Sequence, residues 1–392
     1  MEKVRPVILV ICDYYLPGFE SGGAMRTIVN MVDRLSDSYE FKIITRDHDG
    51  PLNREPYRNV RIGDWNRVGG ADVFYLSKGS IRSAVIKKLV DQINPAAIYL
   101  NSFFSPLTIF TLYLRRFGRI KNIPIVLAPE GELVPGALSI KPLKKRLYLR
   151  AAKLLHLLDN VVWKSASEFE RDNIKIIFGL DREVFIAPNM PPRIILPDFD
   201  LTAKPAKRPG AAKMVFLSRF MRKKNFKWLL EMLPGIEGDL TIDIYGPVED
   251  ESYRQECQQI IKTLPDGIRI DGRGAVPHDA VAKTLAKYHF FVLPTLGENF
   301  GHIFIEALSA GCPLLISDRT PWRNLEKEEI GWDIPLETPE KWLAAINCCL
   351  EMDNDDYQTM SKKARDFAVE WLTDPGLENA NRAVLDLAVG SV

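Results

Sequence analysis

The sequence is poor in cysteine and histidine, with five residues of each type among 392. The cysteines are scattered through segments of strand and helix character and lack the spacing of a zinc site, and the histidines form no H-E-x-x-H motif. The scatter gives no sign of a disulfide framework. Reduced thiols in a cytoplasmic protein are the simplest interpretation of Cys12, Cys257, Cys312, Cys348 and Cys349.

Long apolar runs and an excess of one charge are also lacking. No stretch approaches the ~20 apolar residues that span a bilayer. The N-terminal segment enters a strand directly and lacks the apolar length of a signal peptide. The formal net charge is only +1. We therefore expect a cytoplasmic protein with no nucleic-acid partner.

Two common motifs of catalysis and cofactor binding are absent. Gly18, Gly22 and Gly23 follow the first predicted strand, but their spacing is not the G-x-G-x-x-G of dinucleotide binding. This disfavours an NAD-dependent oxidoreductase. No G-x-S-x-G nucleophile elbow occurs either.

The chain does contain a regular α/β alternation. Strand patterns at 7–11, 40–45, 73–76, 97–100 and 125–128, and again at 214–217, 240–245, 268–270 and 290–295, are separated by helical patterns. Such alternation predicts parallel sheets covered by helices on both faces. The length and a proline-rich stretch predict two Rossmann-like domains, 1–190 and 210–372, with a linker at 191–209 and a last helix within 373–392.

The most informative segment is 297–308, which follows a strand and opens a helix. If the helix begins near Phe300, Glu306 lies about two turns in, on the order of 10 Å along the axis. Glu298, in the loop, should then serve a different part of one elongated ligand. The amides of Phe300, Gly301 and His302 are suited to a phosphate group. The alternative for Glu306 is a partly exposed helix glutamate.

Cations and glycines follow two other strands. Arg219 and Lys224 come after the strand at 214–217, where positive charge can neutralise a pyrophosphate leaving group. The alternative is a solvated basic turn. Gly22 and Gly23 precede a helix and allow the backbone to approach a phosphate or a sugar. A plain flexible loop is the alternative interpretation of these glycines.

A metal site is a weaker hypothesis. Asp47-His48-Asp49 and Asp198-Phe199-Asp200 are D-x-D triplets, which can hold a divalent metal on a diphosphate. Both fall in predicted loops, where acidic triplets are common by chance. We expect no metal ligands and no cofactor.

The basic charge is concentrated in the first half. Residues 1–200 hold 29 basic and 22 acidic residues, and 101–150 alone hold nine and two. Within this region, 141–158 forms a basic amphipathic stretch. It suits an anionic membrane surface or an acceptor with phosphate groups. An ordinary surface helix is the alternative.

The combined motifs resemble the retaining glycosyltransferases of family 4, which have the GT-B fold. The resemblance is carried by Gly22 and Gly23 with Arg26, by 218–225, and by 297–308 followed by 310–313 and 317–318. It covers essentially the whole chain. It implies an N-terminal acceptor domain and a C-terminal donor domain, two Rossmann-like domains with parallel sheets facing across a cleft.

The resemblance also implies roles for single residues. Arg219 and Lys224 would hold the diphosphate of a nucleotide-sugar donor, Glu306 the ribose hydroxyls, and Glu298 the transferred sugar. Sugar or phosphate contacts would come from Asn299, Phe300, Gly301 and His302, and from Gly22 and Gly23 in the other domain. Members of the family transfer sugar with retention and without a divalent metal. The acceptor would be a saccharide or a lipid-linked molecule, in polysaccharide, glycolipid or other glycoconjugate synthesis.

One position departs from the family. Many relatives place His or Arg where this chain has Glu130, after the strand at 125–128. A catalytic histidine cannot therefore be assigned in the first domain, and Glu130 is the candidate for orienting the acceptor hydroxyl or acting as a base.

Two other functions are compatible with the same motifs. A nucleotide-sugar epimerase of this fold would turn over donor without an acceptor. A non-catalytic sugar-nucleotide binding subunit would bind donor without turnover, although the presence of both glutamates, Arg219 and Lys224 argues against it.

Overall fold

A computed structural model of the chain describes residues 5–19, 22–50, 53–179, 181, 183–193, 200–201 and 204–390. Asp198 and Phe199 of the second D-x-D triplet lie outside these residues. The chain forms two compact units, Met1–Pro192 with Asp374–Val392, and Arg193–Thr373. Within the described part of the chain, no helix has both the length and the apolar character needed to cross a membrane.

The first unit is built on an eight-stranded sheet in the order β3-β4-β2-β1-β5-β6-β7-β8. All neighbouring strands pair in parallel except β3, which runs antiparallel to β4. The strands are β1 Val7–Cys12, β2 Glu40–Arg46, β3 Trp65–Val68, β4 Ala71–Leu76, β5 Ala97–Asn101, β6 Ile125–Ala128, β7 Val161–Ser165 and β8 Val184–Ile186.

Helices cover both faces of this sheet, and the buried side chains form one apolar core on each face. The helices are α1 Gly23–Leu35, α2 Ser83–Ile93, α3 Pro106–Arg116, α4 Pro135–Leu138, α5 Pro142–Leu154, α6 Glu168–Phe178 and the C-terminal α13 Pro375–Gly390. Val384 and Leu385 of α13 belong to the same core as β1. The chain therefore returns to its first unit at its end.

The second unit is built on a six-stranded, fully parallel sheet in the order β11-β10-β9-β12-β13-β14. Its strands are β9 Ala211–Leu217, β10 Asp239–Tyr245, β11 Ile268–Gly274, β12 Phe290–Leu293, β13 Leu314–Ser317 and β14 Gly331–Ile334. Its helices are α7 Phe226–Met232, α8 Glu251–Ile261, α9 His278–Leu285, α10 His302–Ser309, α11 Pro339–Glu351 and α12 Asn354–Thr373. The carboxyl ends of parallel strands share one sheet edge, which is where ligands bind in such folds.

Three strands of the first unit, β3, β7 and β8, were missed by the sequence patterns. In β7 the buried Lys164 interrupts an otherwise apolar run, which obscures the strand signal. Part of the predicted linker also packs on the second unit. Lys204 and Lys207 are buried there, and their ammonium groups donate to the carbonyls of Ala310 and Leu350.

Candidate active site

The loop between β12 and α10 ends at Gly301, whose φ of 82° lies in the left-handed region. α10 therefore begins at His302, two residues later than the sequence suggested. Glu306 lies about one turn into the helix, ~6 Å along the axis, rather than two turns. The earlier start was wrong because the left-handed residue keeps Phe300 and Gly301 outside the helix.

Gly301 is required for a second reason. A Cβ built on it would lie 2.4 Å from ring carbons of Phe304 in the first turn of α10. Glycine alone combines this close approach with a positive φ. The position of the first amides of α10 therefore depends on a residue without a side chain.

The same loop is held against the segment that follows β9. The amide of Leu296 donates to the carbonyl of Lys223 at 2.8 Å, and the hydroxyl of Thr295 donates to the same carbonyl at 3.3 Å. The amide of Glu298 donates to the carbonyl of Arg319 at 3.0 Å. These bonds bring the side chain of Lys224 to that of Glu298.

Lys224 and Glu298 form an ion pair between Nζ and Oε1, with side chains 9% and 16% exposed. Burial acts to raise the pKa of Glu298. The charges of Lys224 and Lys223 and the hydrogen bond from Lys224 outweigh it, so that the pKa lies below its ordinary value. The carboxylate is therefore held ionised in a water-poor position at the sheet edge.

Arg219 adds a third cation to this edge. Arg219 follows β9 directly after Ser218. Gly246 packs against this turn so closely that a Cβ built on Gly246 would lie 1.9 Å from the carbonyl oxygen of Ser218. Nη1 of Arg219 lies 3.0 Å from Oε1 of Glu249, and the side chain of Arg219 remains 39% exposed. The charge of Arg219 also contributes to the lowered pKa of Glu298. The cluster of Arg219, Lys223 and Lys224 can bind a diphosphate and neutralise its negative charge.

The residues around the start of α10 are mostly buried. Phe300, His302 and Glu306 are 5, 8 and 7% exposed. The carbonyl of Phe300 accepts a hydrogen bond from Nε1 of Trp322 at 2.6 Å. The ring of Phe300 packs on that of Trp371, with the ring centroids 5.6 Å apart. Aromatic packing therefore fixes the loop, and with it Asn299 beside Glu298. The first amides of a helix have no partner within the helix and favour an anion.

The glycines of the first unit lie at the carboxyl end of β1. Gly22 has a φ of 73° and precedes α1, which begins at Gly23. The side-chain amide of Asn101, at the end of the neighbouring β5, donates to the carbonyl of Ala24 at 3.0 Å. The start of α1 is thus fixed to the same sheet edge at which β6 ends before Glu130.

Glu130 has a φ of 53°, an unusual backbone for a residue with a side chain. Its Oε2 accepts from Nδ2 of Asn189 at 2.6 Å, and Oδ1 of Asn189 accepts from Nζ of Lys164 at 2.9 Å. Burial lowers the pKa of Lys164, while the charges of Glu130 and Glu170 act in the opposite direction. The carboxylate is held by a chain of buried polar side chains.

The neighbouring Glu132 has a different environment. Its carboxylate accepts from the amides of Phe103 and Phe104 at 2.6 and 2.9 Å and from the hydroxyl of Ser102. Burial raises its pKa, against the effect of these hydrogen bonds. Glu132 therefore orders the turn before α3.

The first D-x-D triplet makes contacts within its own loop and with the loop that follows β1. Asp47 lies 3.0 Å from Nδ1 of His48, and Asp49 accepts from the amide of Phe19 at 2.7 Å. Among the residues that the structure describes, no group of three or more His, Cys, Asp or Glu side chains is placed to hold a metal ion.

Residues 199–367, nearly the whole second unit, match the family described as Glycosyl transferases group 1. The second unit therefore resembles a glycosyltransferase group 1 domain, and the match covers less than half of the chain. The predicted glycosyltransferase is confirmed at the level of this domain.

Curated relatives match over parts of the chain. The GtfA subunit of the UDP-N-acetylglucosamine–peptide N-acetylglucosaminyltransferase of Streptococcus agalactiae is 28% identical over 138 residues, 33% of this chain and 26% of the relative. The phosphatidyl-myo-inositol mannosyltransferase of Mycobacterium leprae (strain TN) is 26% identical over 128 residues, 31% of this chain and 33% of the relative. The chain thus spans about a quarter to a third of these relatives.

Solved structures match over the full chain. Sucrose-phosphate synthase from Thermosynechococcus elongatus has a TM-score of 0.72 at 16% identity, covering 99% of this chain and 100% of the other. Anabaena HepE in complex with UDP and glucose has a TM-score of 0.69 at 16% identity, with the same coverage. At such identity the likeness concerns the fold, and the predicted GT-B fold is confirmed.

The structure divides the predicted site residues of this glycosyltransferase between the units. Arg219, Lys224, Glu298 and the start of α10 lie at one sheet edge of the second unit, and Gly22, Gly23 and Glu130 at one edge of the first. Sequence reasoning missed Glu249, Lys164 and Asn189. A signal existed for Glu249, which follows a strand, and for Lys164, a lysine inside an apolar run.

Proposed function

We propose that the protein is a retaining glycosyltransferase that moves a sugar from a nucleoside diphosphate sugar to an acceptor hydroxyl without a divalent metal. The observation that carries this proposal is the buried Lys224–Glu298 pair, with Arg219 beside it, in a glycosyltransferase group 1 domain. Three cations at one sheet edge can neutralise a diphosphate, which is the task that a metal ion would otherwise perform.

The donor would extend along the start of α10. Arg219 and Lys224 bind the diphosphate, and the amides of Gly301, just before the helix, and of His302, its first residue, support the phosphate or sugar oxygens. Glu306, one turn into the helix, binds the ribose hydroxyls. Glu298, held ionised by Lys224, accepts hydrogen bonds from hydroxyls of the transferred sugar.

In the reaction, the bond between the anomeric carbon and the diphosphate oxygen breaks, and its electron pair leaves with the diphosphate. Arg219 and Lys224 stabilise the charge that develops there. The acceptor oxygen forms its bond to the anomeric carbon on the face that the diphosphate leaves, so the configuration is retained. The acceptor proton passes to the departing diphosphate oxygen.

Glu130 would orient the acceptor hydroxyl. Its strained backbone and the hydrogen bond from Asn189 fix its carboxylate at the end of β6. A preoriented acceptor reacts as part of one complex rather than by collision, which lowers the entropic barrier. Asn189 and Lys164 would act as positioning residues for this carboxylate.

The substrates that we propose are a nucleotide-sugar donor and an acceptor with a hydroxyl group. UDP-sugars are the first donors to examine, since HepE was solved in complex with UDP-glucose. A saccharide or lipid-linked acceptor in glycoconjugate synthesis is proposed, and the matched mannosyltransferase is named for a phosphatidyl-inositol substrate. We place the protein in the cytoplasm, at the inner face of the membrane.

The test is a screen of nucleotide-sugars by thermal shift, followed by donor turnover with and without EDTA. We expect turnover to persist in EDTA, because Arg219 and Lys224 replace the metal. Arg219→Gln should lower kcat/KM by about 100-fold. Arg222→Gln is the matched control, since Arg222 lies in the same segment but pairs with Asp250 and Glu256 at the surface.

Other outcomes would identify the rival functions. Turnover abolished by EDTA and restored by Mg²⁺ or Mn²⁺ would overturn the metal-free mechanism. Conversion of the donor to its epimer in the absence of an acceptor would favour an epimerase. Tight donor binding with no turnover under any acceptor would favour a non-catalytic subunit.

A further inference from the structure

α5 carries an apolar strip on the side that faces away from the core of the first unit. Leu143, Leu147 and Leu154 are 81, 70 and 80% exposed, whereas Ala152 is fully buried. At about 100° per residue, the three leucines fall within about 40° of one another around the helix, and Ala152 lies roughly opposite. A helix that only packs on a core places leucine on its buried side.

Cations border this strip. Lys144, Arg146 and Arg150 are exposed, and α5 contains no acidic residue. No ion pair to these three is found among the described residues. The other two lysines of the helix point to the protein instead. Lys145 donates to the carbonyl of Ala137 at 2.8 Å, and Lys153 donates to that of Ile177 at 2.5 Å.

The geometry is that of a helix lying flat on a surface. The leucines extend over 12 residues, 143–154, or ~16 Å along the axis. Ile140 before the helix and Leu155 after it are 49 and 40% exposed. Exposed apolar side chains therefore also flank the helix at both ends, and positive charge lies beside the leucines.

We propose that α5 docks on a bilayer that contains anionic phospholipids. Leu143, Leu147 and Leu154 enter the boundary of the acyl chains, while Lys144, Arg146 and Arg150 meet the phosphate groups of the lipids. The long stem of Arg150 lets its charge reach the headgroups from within the strip. This binding is a property of the first unit and does not depend on the proposed glycosyl transfer.

Charge and apolar character together select the bilayer over other partners. A second copy of α5 would bring cations against cations, which costs energy. A nucleic acid or another soluble polyanion would meet the cations but would leave the leucines in water. A bilayer offers an anionic layer above an apolar one, which matches the cross-section of this face.

The test is sedimentation of the full chain with vesicles of phosphatidylcholine alone or of equal parts phosphatidylcholine and phosphatidylglycerol. We expect binding to the anionic vesicles to be at least about tenfold tighter, and weaker in high salt. L143Q/L147Q/L154Q and K144Q/R146Q/R150Q should each weaken it by about tenfold or more. The altered side chains are exposed, so the unfolding midpoint should stay near that of the wild type.

Matched controls come from the second unit. Val369→Gln alters an exposed aliphatic residue of α12, and K262Q/R269Q/K287Q removes three exposed cations elsewhere. Both should bind like the wild type. Equal binding of the wild type to both kinds of vesicle, or unchanged binding of the α5 variants, would overturn the proposal. So would a dimer in ultracentrifugation that the leucine variants convert to monomer while vesicle binding stays the same.

Discussion

Lys224 and Glu298 stabilise each other's charged form in a position where either charge alone would be costly. They lie 74 residues apart in the chain, yet their side chains are only 9% and 16% exposed. Removal of one partner from a buried pair leaves the other uncompensated, and this costs more than the pair itself contributes. The donor binding that we propose and the local stability would therefore depend on the same two residues.

We expect Lys224→Met and Glu298→Gln each to lower the free energy of unfolding by about 2 to 4 kcal/mol. The double variant should lose less than the sum, by about 1 kcal/mol or more, because neither charge is then left unpaired. Denaturant unfolding of all four proteins measures this coupling. The control cycle is Arg222→Gln with Glu256→Gln, an ion pair of side chains 53% and 37% exposed, whose coupling should stay below about 1 kcal/mol. Additive losses at Lys224 and Glu298 would contradict the prediction.

The same pair predicts a dependence on pH. The pKa of Glu298 is lowered in the folded protein, so the stability that it contributes is present above the ordinary carboxyl pKa. That contribution is lost as the pH falls through the lowered value. The difference in stability between wild type and Glu298→Gln should therefore be largest near neutral pH and shrink under acid conditions.

At the scale of elements, the start of α10 is set by the backbone of one residue. Gly301 and Gly274 have nearly the same φ, 82° and 78°, but a Cβ would strike Phe304 at the first and meet nothing within 4 Å at the second. The two glycines therefore separate the cost of the left-handed backbone from the cost of the clash.

We expect Gly274→Ala to cost about 1 to 2 kcal/mol, the penalty of a side chain in the left-handed region. Gly301→Ala should cost clearly more, because the Phe304 ring must move and α10 with it. It should also weaken nucleotide-sugar binding at least about tenfold, since the first amides of α10 shift. Calorimetric binding and unfolding measurements on both variants check this. Equal effects of the two substitutions would contradict the role given to Gly301.

At the scale of the whole molecule, the last helix completes the first unit. α13 follows the second unit in the chain, but Asn381 donates to the carbonyl of Pro188 and the hydroxyl of Tyr39 donates to Asp386. Val384 and Leu385 are 2% and 1% exposed in a core shared with β1. The stability of the first unit therefore depends on residues that follow the second unit in the chain.

Leu385→Ala should destabilise the first unit by about 2 to 4 kcal/mol, the range for a leucine removed from a core. Leu387→Ala on the same helix is the control, since that side chain is 42% exposed and its loss should change stability by no more than about 0.5 kcal/mol. Donor binding, proposed for the second unit, should be unchanged in both. Similar unfolding midpoints for the two variants would show that the packing of α13 does not stabilise the core of the first unit.

The sequence by itself determined two α/β units with parallel sheets, and it placed Glu298 and Glu306 within one strand–loop–helix segment. Both follow from local patterns, and the GT-B fold was expected from the resemblance to a family. Arg219 and Lys224 could be named because a strand followed by cations places charge at the carboxyl edge of a parallel sheet. The glutamate in an apolar helix was informative because burial of a charge requires a reason.

The tertiary structure alone decided which residues meet. Strand order brings Lys224 to Glu298 and Arg219 to Glu249, and it joins Lys164 and Asn189 to Glu130. Such pairs depend on contacts between distant segments, and no local pattern encodes them. The left-handed Gly301 that delays α10 was likewise invisible. The sequence did show 141–158 as a basic amphipathic stretch, but only the packing of the backbone decided that its leucines point outward.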